Sequence, residues 1–120
     1  MFGFEWCEFC WSVRRLFQEA GIPFRSIDVD TAEFRRGGRG GKILRAVFAK
    51  VGVRTVPQVF VGGRRVGDAT EVLSAFDDGS LHANLASLDP PIIPVNVENA
   101  LSFLPTWSRR PSGHEVDRNK

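Results

Sequence analysis

Residues 2–21, FGFEWCEFCWSVRRLFQEAG, join a short apolar segment to a pair of cysteines and an amphipathic helix. The segment from Phe2 to Glu5 predicts the end of a β-strand. After it, apolar side chains recur with the i, i+3, i+4, i+7 spacing of a helix that buries one face and stops at Gly21. The apolar positions on that face are Val13, Leu16, Phe17 and Ala20. The polar positions expected on the opposite face are Arg14, Arg15, Gln18 and Glu19.

The two cysteines, Cys7 and Cys10, lie where the strand gives way to the helix. Disulfide exchange needs a thiolate, and the unpaired N–H groups and dipole of a helix's first turn lower the pKa of a thiol placed there. We expect an exposed Cys7 to attack a disulfide and Cys10, one turn further in, to expel the mixed disulfide that forms on Cys7. Because so close a pair cannot cross-link distant elements, it indicates redox chemistry in a reducing compartment, the cytoplasm or a reducing organelle.

Two other interpretations of the cysteine pair stay open: half of a zinc site, and a pair of ordinary buried cysteines. A Cys₂His₂ zinc site would need two suitably placed histidines, and the chain has only His82 and His114, which are far apart in sequence. A redox Cys-x-x-Cys motif follows a strand, as this pair does. We therefore favour the redox interpretation, in which neither cysteine is expected to bind a metal ion.

The rest of the chain, up to residue 88, alternates strands and helices. The expected order is a strand at 24–30, a helix interrupted by the glycine-rich basic stretch 35–42 and resuming at Ile43, a strand at 55–61, a hairpin turn at 62–63, a return strand at 66–67, and helices after Asp68 and after Ser80. Capping boxes are expected where Asp30 precedes Glu33 and where Asp68 precedes Glu71. This order predicts an α/β fold with two parallel strands followed by an antiparallel pair.

A proline, Pro57, enters the third strand after Thr55 and Val56. Proline lacks the N–H that a strand ladder uses, so it is unfavourable within a central strand. A cis Val56–Pro57 bond would explain its presence by turning the preceding backbone towards a ligand. We expect the N–H and C=O of Val56 to pair with the main chain of a bound peptide.

Three sequence blocks resemble the signature blocks of glutaredoxins, in order and at that family's spacing. They are Cys7-Glu8-Phe9-Cys10, Thr55-Val56-Pro57-Gln58-Val59-Phe60-Val61-Gly62-Gly63 and Val66-Gly67-Asp68-Ala69-Thr70-Glu71. The resemblance covers residues 2–88 and implies a thioredoxin-like fold, a four-stranded mixed sheet flanked by helices. It also implies reduction of protein disulfides or glutathione mixed disulfides with glutathione as the reductant. Trp6 and Trp11 further resemble a subgroup that is in some cases fused to larger enzymes.

The resemblance assigns roles to particular positions. Cys7 matches the nucleophile and Cys10 the resolving thiol. Arg45 would hold the glycine carboxylate of glutathione if the glycine-rich insertion shifts the helix register, because the usual Gln or Arg falls at Leu44. The full set of positions that match the glutathione site is Phe9, Arg45, Thr55, Val56, Pro57, Asp68, Ala69, Thr70 and Glu71.

Departures from the family pattern leave other functions open. Phe4 stands where a Lys is common, and Glu8 replaces the usual Pro. Because Glu5 and Glu8 oppose a thiolate, we expect the pKa of Cys7 to be less depressed than in strong family members. Weak glutathione contacts leave room for a redoxin recharged by thioredoxin reductase. The altered motif leaves room for a [2Fe–2S] carrier in which two protomers bridge the cluster with Cys7 and glutathione.

The composition changes after residue 88. Five of the seven prolines lie in residues 89–120, which we expect to form a loosely ordered tail, with apolar islands at 92–93 and 101–107 that dock on the domain or on a partner. A net charge of +2 does not indicate a nucleic-acid partner, and no apolar run approaches membrane-spanning length. We expect a soluble monomer whose partners are glutathione and disulfide-bearing or glutathionylated proteins. A non-catalytic docking module is the alternative.

Overall fold

The computed structural model describes residues 1–107 and the backbone of 114–115. Helices and strands alternate along most of this length. In chain order the elements are β1 (Phe2–Gly3), α1 (Glu8–Ala20), β2 (Ile27–Asp28), α2 (Ala32–Arg35), a 3₁₀ turn (Arg36–Gly38), α3 (Arg39–Val51), β3 (Thr55–Val56), β4 (Val59–Val61), β5 (Arg64–Gly67), α4 (Ala69–Asp78), α5 (Ser80–Ala86), a second 3₁₀ turn (Ala100–Phe103) and β6 (His114–Glu115).

A small mixed sheet positions the cysteine pair. Strand β1 runs parallel to β2, and β4 and β5 form an antiparallel hairpin around Gly62-Gly63. The two pairs are linked at Gln58, which exchanges two backbone hydrogen bonds of 2.9 Å with Phe2 in an antiparallel bridge. The resulting strand order, β2-β1-β4-β5, confirms the expected α/β fold with a four-stranded mixed sheet flanked by helices. Strand β6 pairs antiparallel with β3.

Helix α1 carries the cysteine motif and packs into the core through its predicted apolar face. Val13, Leu16 and Ala20 are fully buried, and Phe17 nearly so. The helix ends at Gly21, which takes the left-handed conformation (φ 70°) that the sequence predicts for a stop. The polar face differs from the prediction, because Arg14 is buried rather than exposed.

Of the two predicted capping boxes, one is confirmed and one is wrong. Asp68 accepts the N–H of Glu71, and the Glu71 carboxylate accepts the N–H of Asp68, so α4 begins as predicted. Helix α2 instead begins after Thr31, since the Asp30 carboxylate accepts the backbone N–H of Glu5 at 2.8 Å and is not available as a cap. Asp30 thus fixes the loop before Cys7.

Helix α3 begins at Arg39, four residues before the apolar spacing resumes at Ile43. Gly37 and Gly38 adopt left-handed backbone angles (φ 66° and 71°) that separate it from α2. Gly40, just inside the helix, packs so closely on the residue after β2 that a Cβ would meet the carbonyl oxygen of Val29. The glycine-rich stretch is therefore part of the packing and not only an insertion.

We expect Gly40→Ala to destabilise the fold by about 1–3 kcal/mol, because the added methyl group would clash with the Val29 backbone. Gly41→Ala is the matched control, since its Cβ would meet only the end of the Arg45 side chain, at 3.4 Å. That change should stabilise the helix by about 0.5–1 kcal/mol through helix propensity. Urea unfolding of both variants measures the two effects, and equal unfolding midpoints would contradict the described packing.

Residues 89–107 differ from the expectation of a loosely ordered tail. The N–H of Val95 donates to the Ala20 carbonyl at 2.8 Å, and the hydroxyl of Ser12 donates to the Phe103 carbonyl at 2.7 Å. Ala100 is fully buried, and its N–H donates to the Asp77 carboxylate at 2.7 Å. Apolar contacts with α1 and α4 thus outweigh the chain entropy that the proline-rich composition suggested. The domain boundary at 88/89 stays a prediction.

No helix within residues 1–107 is long and apolar enough to cross a membrane.

Candidate active site

Cys7 is the residue immediately before the first turn of α1. Its backbone is extended (φ −91°, ψ 124°), and its carbonyl accepts the first helical hydrogen bond, from Trp11 N–H at 3.0 Å. The backbone N–H groups of Phe9 and Cys10 in the first turn face the Cys7 sulfur and are among the causes that lower its pKa. Cys10 lies one turn further along and is fully buried. This geometry is the one that the spacing predicts.

The two thiols have opposite pKa shifts. The pKa of Cys7 is lowered to about 7, chiefly by a hydrogen bond from the Cys10 thiol, with help from the backbone N–H groups of Cys10 and Phe9 and from the charge of Arg14; burial opposes the shift. The pKa of Cys10 is raised, chiefly by that same hydrogen bond to Cys7 and then by burial. Cys7 is therefore the thiol of the pair that ionises first, and the Cys10 thiol donates a hydrogen bond that stabilises its thiolate.

The prediction of an exposed Cys7 is wrong in degree, because only 7% of the residue is exposed. It lines a cleft of about 390 Å³. The other lining residues are aromatic or acidic, namely Phe4, Trp6, Glu8, Phe9, Asp30 and Trp107. Trp6 is 82% exposed at this rim, whereas Trp11 lies outside it and donates from Nε1 to the Glu5 carbonyl at 2.7 Å. A group that reaches Cys7 through this cleft must therefore pass between aromatic side chains.

Trp107 is a site residue that the sequence did not identify. Its indole N–H donates to the Glu8 carboxylate at 2.7 Å, and its ring meets Phe9 edge-on, with centroids 5.6 Å apart at 79°. The available signal was the apolar island at 101–107, for which docking on the domain was one expectation. This hydrogen bond holds the Glu8 carboxylate beside Trp107 at the edge of the cleft.

The Val56–Pro57 bond is cis, as the sequence predicts. Gly3 brings this bend beside the cysteine helix, since a Cβ on Gly3 would lie 2.6 Å from the Cys10 sulfur and 3.7 Å from Pro57 Cβ. Thr55 and Val56 form β3, whose antiparallel partner is the backbone of β6, with Val56 opposite His114. The place expected for the main chain of a bound peptide is thus taken by a strand of the same chain.

The other positions matched to a glutathione site are spread over two further regions. Arg45 lines a separate depression of about 480 Å³ with Phe48, Ala49, Gly52 and Arg54. At the start of α4, Ala69 is buried, and the hydroxyl of Thr70 is buried without a hydrogen-bond partner among the described residues. Glu71 caps its own helix and pairs with Arg65 at 3.2 Å. Of the predicted set, the cleft at Cys7 includes Phe9.

Within the described residues, no three His, Cys, Asp or Glu side chains are grouped so that they could hold a metal ion.

The order of these features, a Cys-x-x-Cys helix start, a cis proline bend and a capped helix after a hairpin, agrees with the comparisons. A family model described as Glutaredoxin matches residues 1–66. The chain belongs to the glutaredoxin family. The crystal structure of a buckwheat glutaredoxin–glutathione complex superposes on this glutaredoxin with a TM-score of 0.63 and 32% identity, over 71% of this chain and 73% of that one. The thioredoxin-like fold is confirmed.

Curated relatives of this glutaredoxin are similar in sequence over the same region. Glutaredoxin-C6 from Oryza sativa subsp. japonica is 33% identical over 78 residues, which are 64% of each chain. Glutaredoxin-C2 from Arabidopsis thaliana is 31% identical over 81 residues, 68% of each chain. The match covers 49% of monothiol glutaredoxin-S10 from Oryza sativa subsp. japonica, so the chain spans about half to two thirds of the length of these relatives.

A pKa of about 7 for Cys7 predicts that its alkylation rate rises with pH and is half-maximal near pH 7, since the thiolate is the reacting form. Iodoacetamide labelling of the reduced protein between pH 5 and 10 measures this. In Cys10→Ala the hydrogen-bond donor is lost, so the midpoint should move up, whereas the hydroxyl of Cys10→Ser can still donate and should hold it lower. A wild-type midpoint near 9 would contradict the assignment.

Proposed function

We propose that this chain is a glutathione-dependent thiol–disulfide oxidoreductase in which Cys7 attacks the substrate and Cys10 resolves the intermediate. The observation that carries the proposal is the Cys7 sulfur at the start of α1, with its pKa lowered by the buried Cys10 thiol. Membership of the glutaredoxin family and similarity to a glutaredoxin solved with glutathione support the choice of reductant.

The proposed reaction on a glutathionylated protein takes two exchange steps. The Cys7 thiolate attacks the glutathione sulfur, the mixed disulfide breaks, and the protein leaves as a thiolate that takes up a proton. A glutathione thiolate then attacks the glutathione sulfur held on Cys7, which releases glutathione disulfide and restores the Cys7 thiolate. Overall, one glutathione and the glutathionylated protein give the free protein thiol and glutathione disulfide, and Cys10 is not consumed.

On a protein disulfide, the same thiolate forms a mixed disulfide with one substrate sulfur. Cys10 then loses its proton and attacks the Cys7 sulfur, which releases the second substrate thiol and leaves a Cys7–Cys10 disulfide. Two glutathiones reduce that disulfide in turn. Because burial and the hydrogen bond to Cys7 raise the pKa of Cys10, it becomes a nucleophile only after Cys7 is bonded to substrate.

Glutathione itself would lie along β3 with its cysteine beside Cys7. The backbone of Val56 before the cis Pro57 offers its N–H and C=O, and β6 would have to leave that edge. At the start of α4, the Thr70 hydroxyl is a buried group without a partner among the described residues and suits the γ-glutamyl end. We further propose a monomer acting on glutathionylated proteins in the cytoplasm or a reducing organelle.

The test is a coupled assay of the whole chain with a small glutathione mixed disulfide, glutathione, glutathione reductase and NADPH. We expect NADPH oxidation that depends on the chain and on glutathione. Replacing glutathione and its reductase by thioredoxin and thioredoxin reductase gives the comparison arm, in which we expect slower turnover. If the glutathione arm shows no turnover, the proposed function is wrong.

A further inference from the structure

Arg14 is a buried cation on the cysteine helix, one turn after Cys10. Only 7% of the residue is exposed. Its Nη2 pairs with the Asp28 carboxylate at 2.5 Å and also donates to the Phe4 carbonyl at 3.3 Å. Its guanidinium lies 5.0 Å from the centroid of the Trp11 ring. A charged group is seldom buried without a partner of opposite charge, and Asp28 is that partner here.

Arg14 is connected to the attacking thiol through one shared acceptor. The Phe4 carbonyl that Arg14 contacts also accepts the backbone N–H of Cys7, at 3.4 Å. The guanidinium therefore helps to fix the turn that sets where the helix begins and where the Cys7 sulfur lies. The same charge is among the causes that lower the pKa of Cys7 and oppose the rise in that of Cys10.

The hydrogen-bonding capacity of the Arg14 guanidinium is only partly used. Asp28 is its carboxylate partner, and the side chain of Asp28 is shared with the Ser26 hydroxyl, which donates to it at 2.8 Å. The Nη1 atom of Arg14 is buried and has no hydrogen-bond partner among the described residues. A buried guanidinium with one free edge exerts a stronger field than a solvated one, because little water screens it.

Other charges face the cysteine region from several elements. They are Asp28 on β2, Glu5 and Asp30 in the loops beside the helix start, Glu8 in the first turn of α1, and the ammonium group of Met1, which interacts with Asp28 and with Cys10. Most of these groups are acidic. Arg14 is the buried cation on the helix itself, and its charge is among the causes that lower the pKa of Cys7.

We propose that Arg14 is a positioning residue for the thiol chemistry, whose guanidinium fixes the Phe4–Cys7 turn and favours the Cys7 thiolate, with Asp28 as the partner that moderates its charge. The expected effect of Arg14 on turnover rests on the proposed function. Its effect on the Cys7 thiol does not, and is tested by titrating the reduced protein without substrate.

The two halves of the ion pair give opposite predictions for the pH at which alkylation of Cys7 is half-maximal. Arg14→Met should raise that midpoint by about one unit, because the favourable charge is lost. Asp28→Asn should lower it, because the charge of Arg14 is no longer neutralised. A merely structural pair would give loss of stability in both variants, with no opposite displacement of the midpoint.

Further variants keep the test decisive. Arg15→Met is the matched control one residue away, since Arg15 is exposed and pairs with Glu19, and its midpoint should equal that of the wild type. Arg14→Lys retains the charge and should keep the midpoint near the wild-type value. If Arg14→Met does not fold, Arg14→Gln, which lacks the charge but can still donate hydrogen bonds, replaces it in the comparison. Circular dichroism of each variant confirms folding before titration.

The outcomes separate this inference from the proposed function. Opposite displacements for Arg14→Met and Asp28→Asn support the role of Arg14, even if the wild-type chain shows no turnover with glutathione. Midpoints that stay at the wild-type value, or that move in the same direction, overturn it, even if turnover is fast. If the wild-type chain turns over substrate, the Arg14→Met variant should be slower than the wild type at pH 6–7 and should approach the wild-type rate near pH 9.

Discussion

Cys7→Ser is expected to remove all measurable turnover of glutathione mixed disulfides. A serine hydroxyl does not ionise near neutral pH and cannot form the disulfide through which both proposed reactions pass. The loss should exceed about a thousandfold, down to the rate of uncatalysed exchange. The coupled assay with glutathione reductase measures it.

Cys10→Ser is the matched control for that loss. The same substitution three residues later removes the resolving thiol, yet its hydroxyl can donate to Cys7 in place of the thiol that lowers the Cys7 pKa. We expect this variant to keep turnover of glutathione mixed disulfides and to lose reduction of protein disulfides that need Cys10. An active Cys7→Ser chain would contradict the assignment of the nucleophile.

Ending the chain after residue 88 is expected to destabilise it severely. The change removes the fully buried Ala100 and uncovers Ser12 and Asp77, whose hydrogen bonds reach residues 100–103. The other apolar side chains lost from the edge of the core are Ile92, Val97, Phe103 and Leu104. Together these losses are on the order of 5 kcal/mol, comparable to the whole stability of a small domain. Thermal unfolding followed by circular dichroism measures the change.

Ending the chain after residue 107 is the control for that truncation. It keeps the docked segment and Trp107 but removes β6, so its unfolding temperature should fall by only about 4–8 °C. Without β6, the edge of β3 is open to glutathione. Because β6 no longer competes for this edge, a β3–β6 pairing worth about 1 kcal/mol corresponds to a KM for glutathione that is about fivefold lower. Equal stability of the two truncated chains would contradict the description of residues 89–107 as part of the packed structure.

Signals within short stretches of sequence predicted the turns and helix ends around the active site. The turn from strand to helix at Cys7, the stop at Gly21 and the cap at Asp68 each depend on a few neighbouring residues, and all three are observed. The cis bond before Pro57 was predictable because proline fits poorly in a strand that the surrounding pattern places in the sheet.

What the sequence did not predict depends on contacts between distant segments. Arg14 has the helical position of a solvated residue, and only the approach of Asp28 and the Phe4 carbonyl makes its burial favourable. Asp30 resembles a cap, but its carboxylate is taken by the loop before Cys7. Trp107 contacts Phe9 although the two residues are far apart in sequence, and no periodicity within one element indicates such a contact.

The most direct test of Cys7 as the glutathione-accepting sulfur is mass spectrometry after brief exposure to glutathione disulfide near neutral pH and an acid quench. The account predicts that the Cys10→Ser chain gains one glutathione, located at Cys7 by fragmentation, and that the Cys7→Ser chain gains none. Equal modification of both variants, or modification of Cys10 alone, would contradict it.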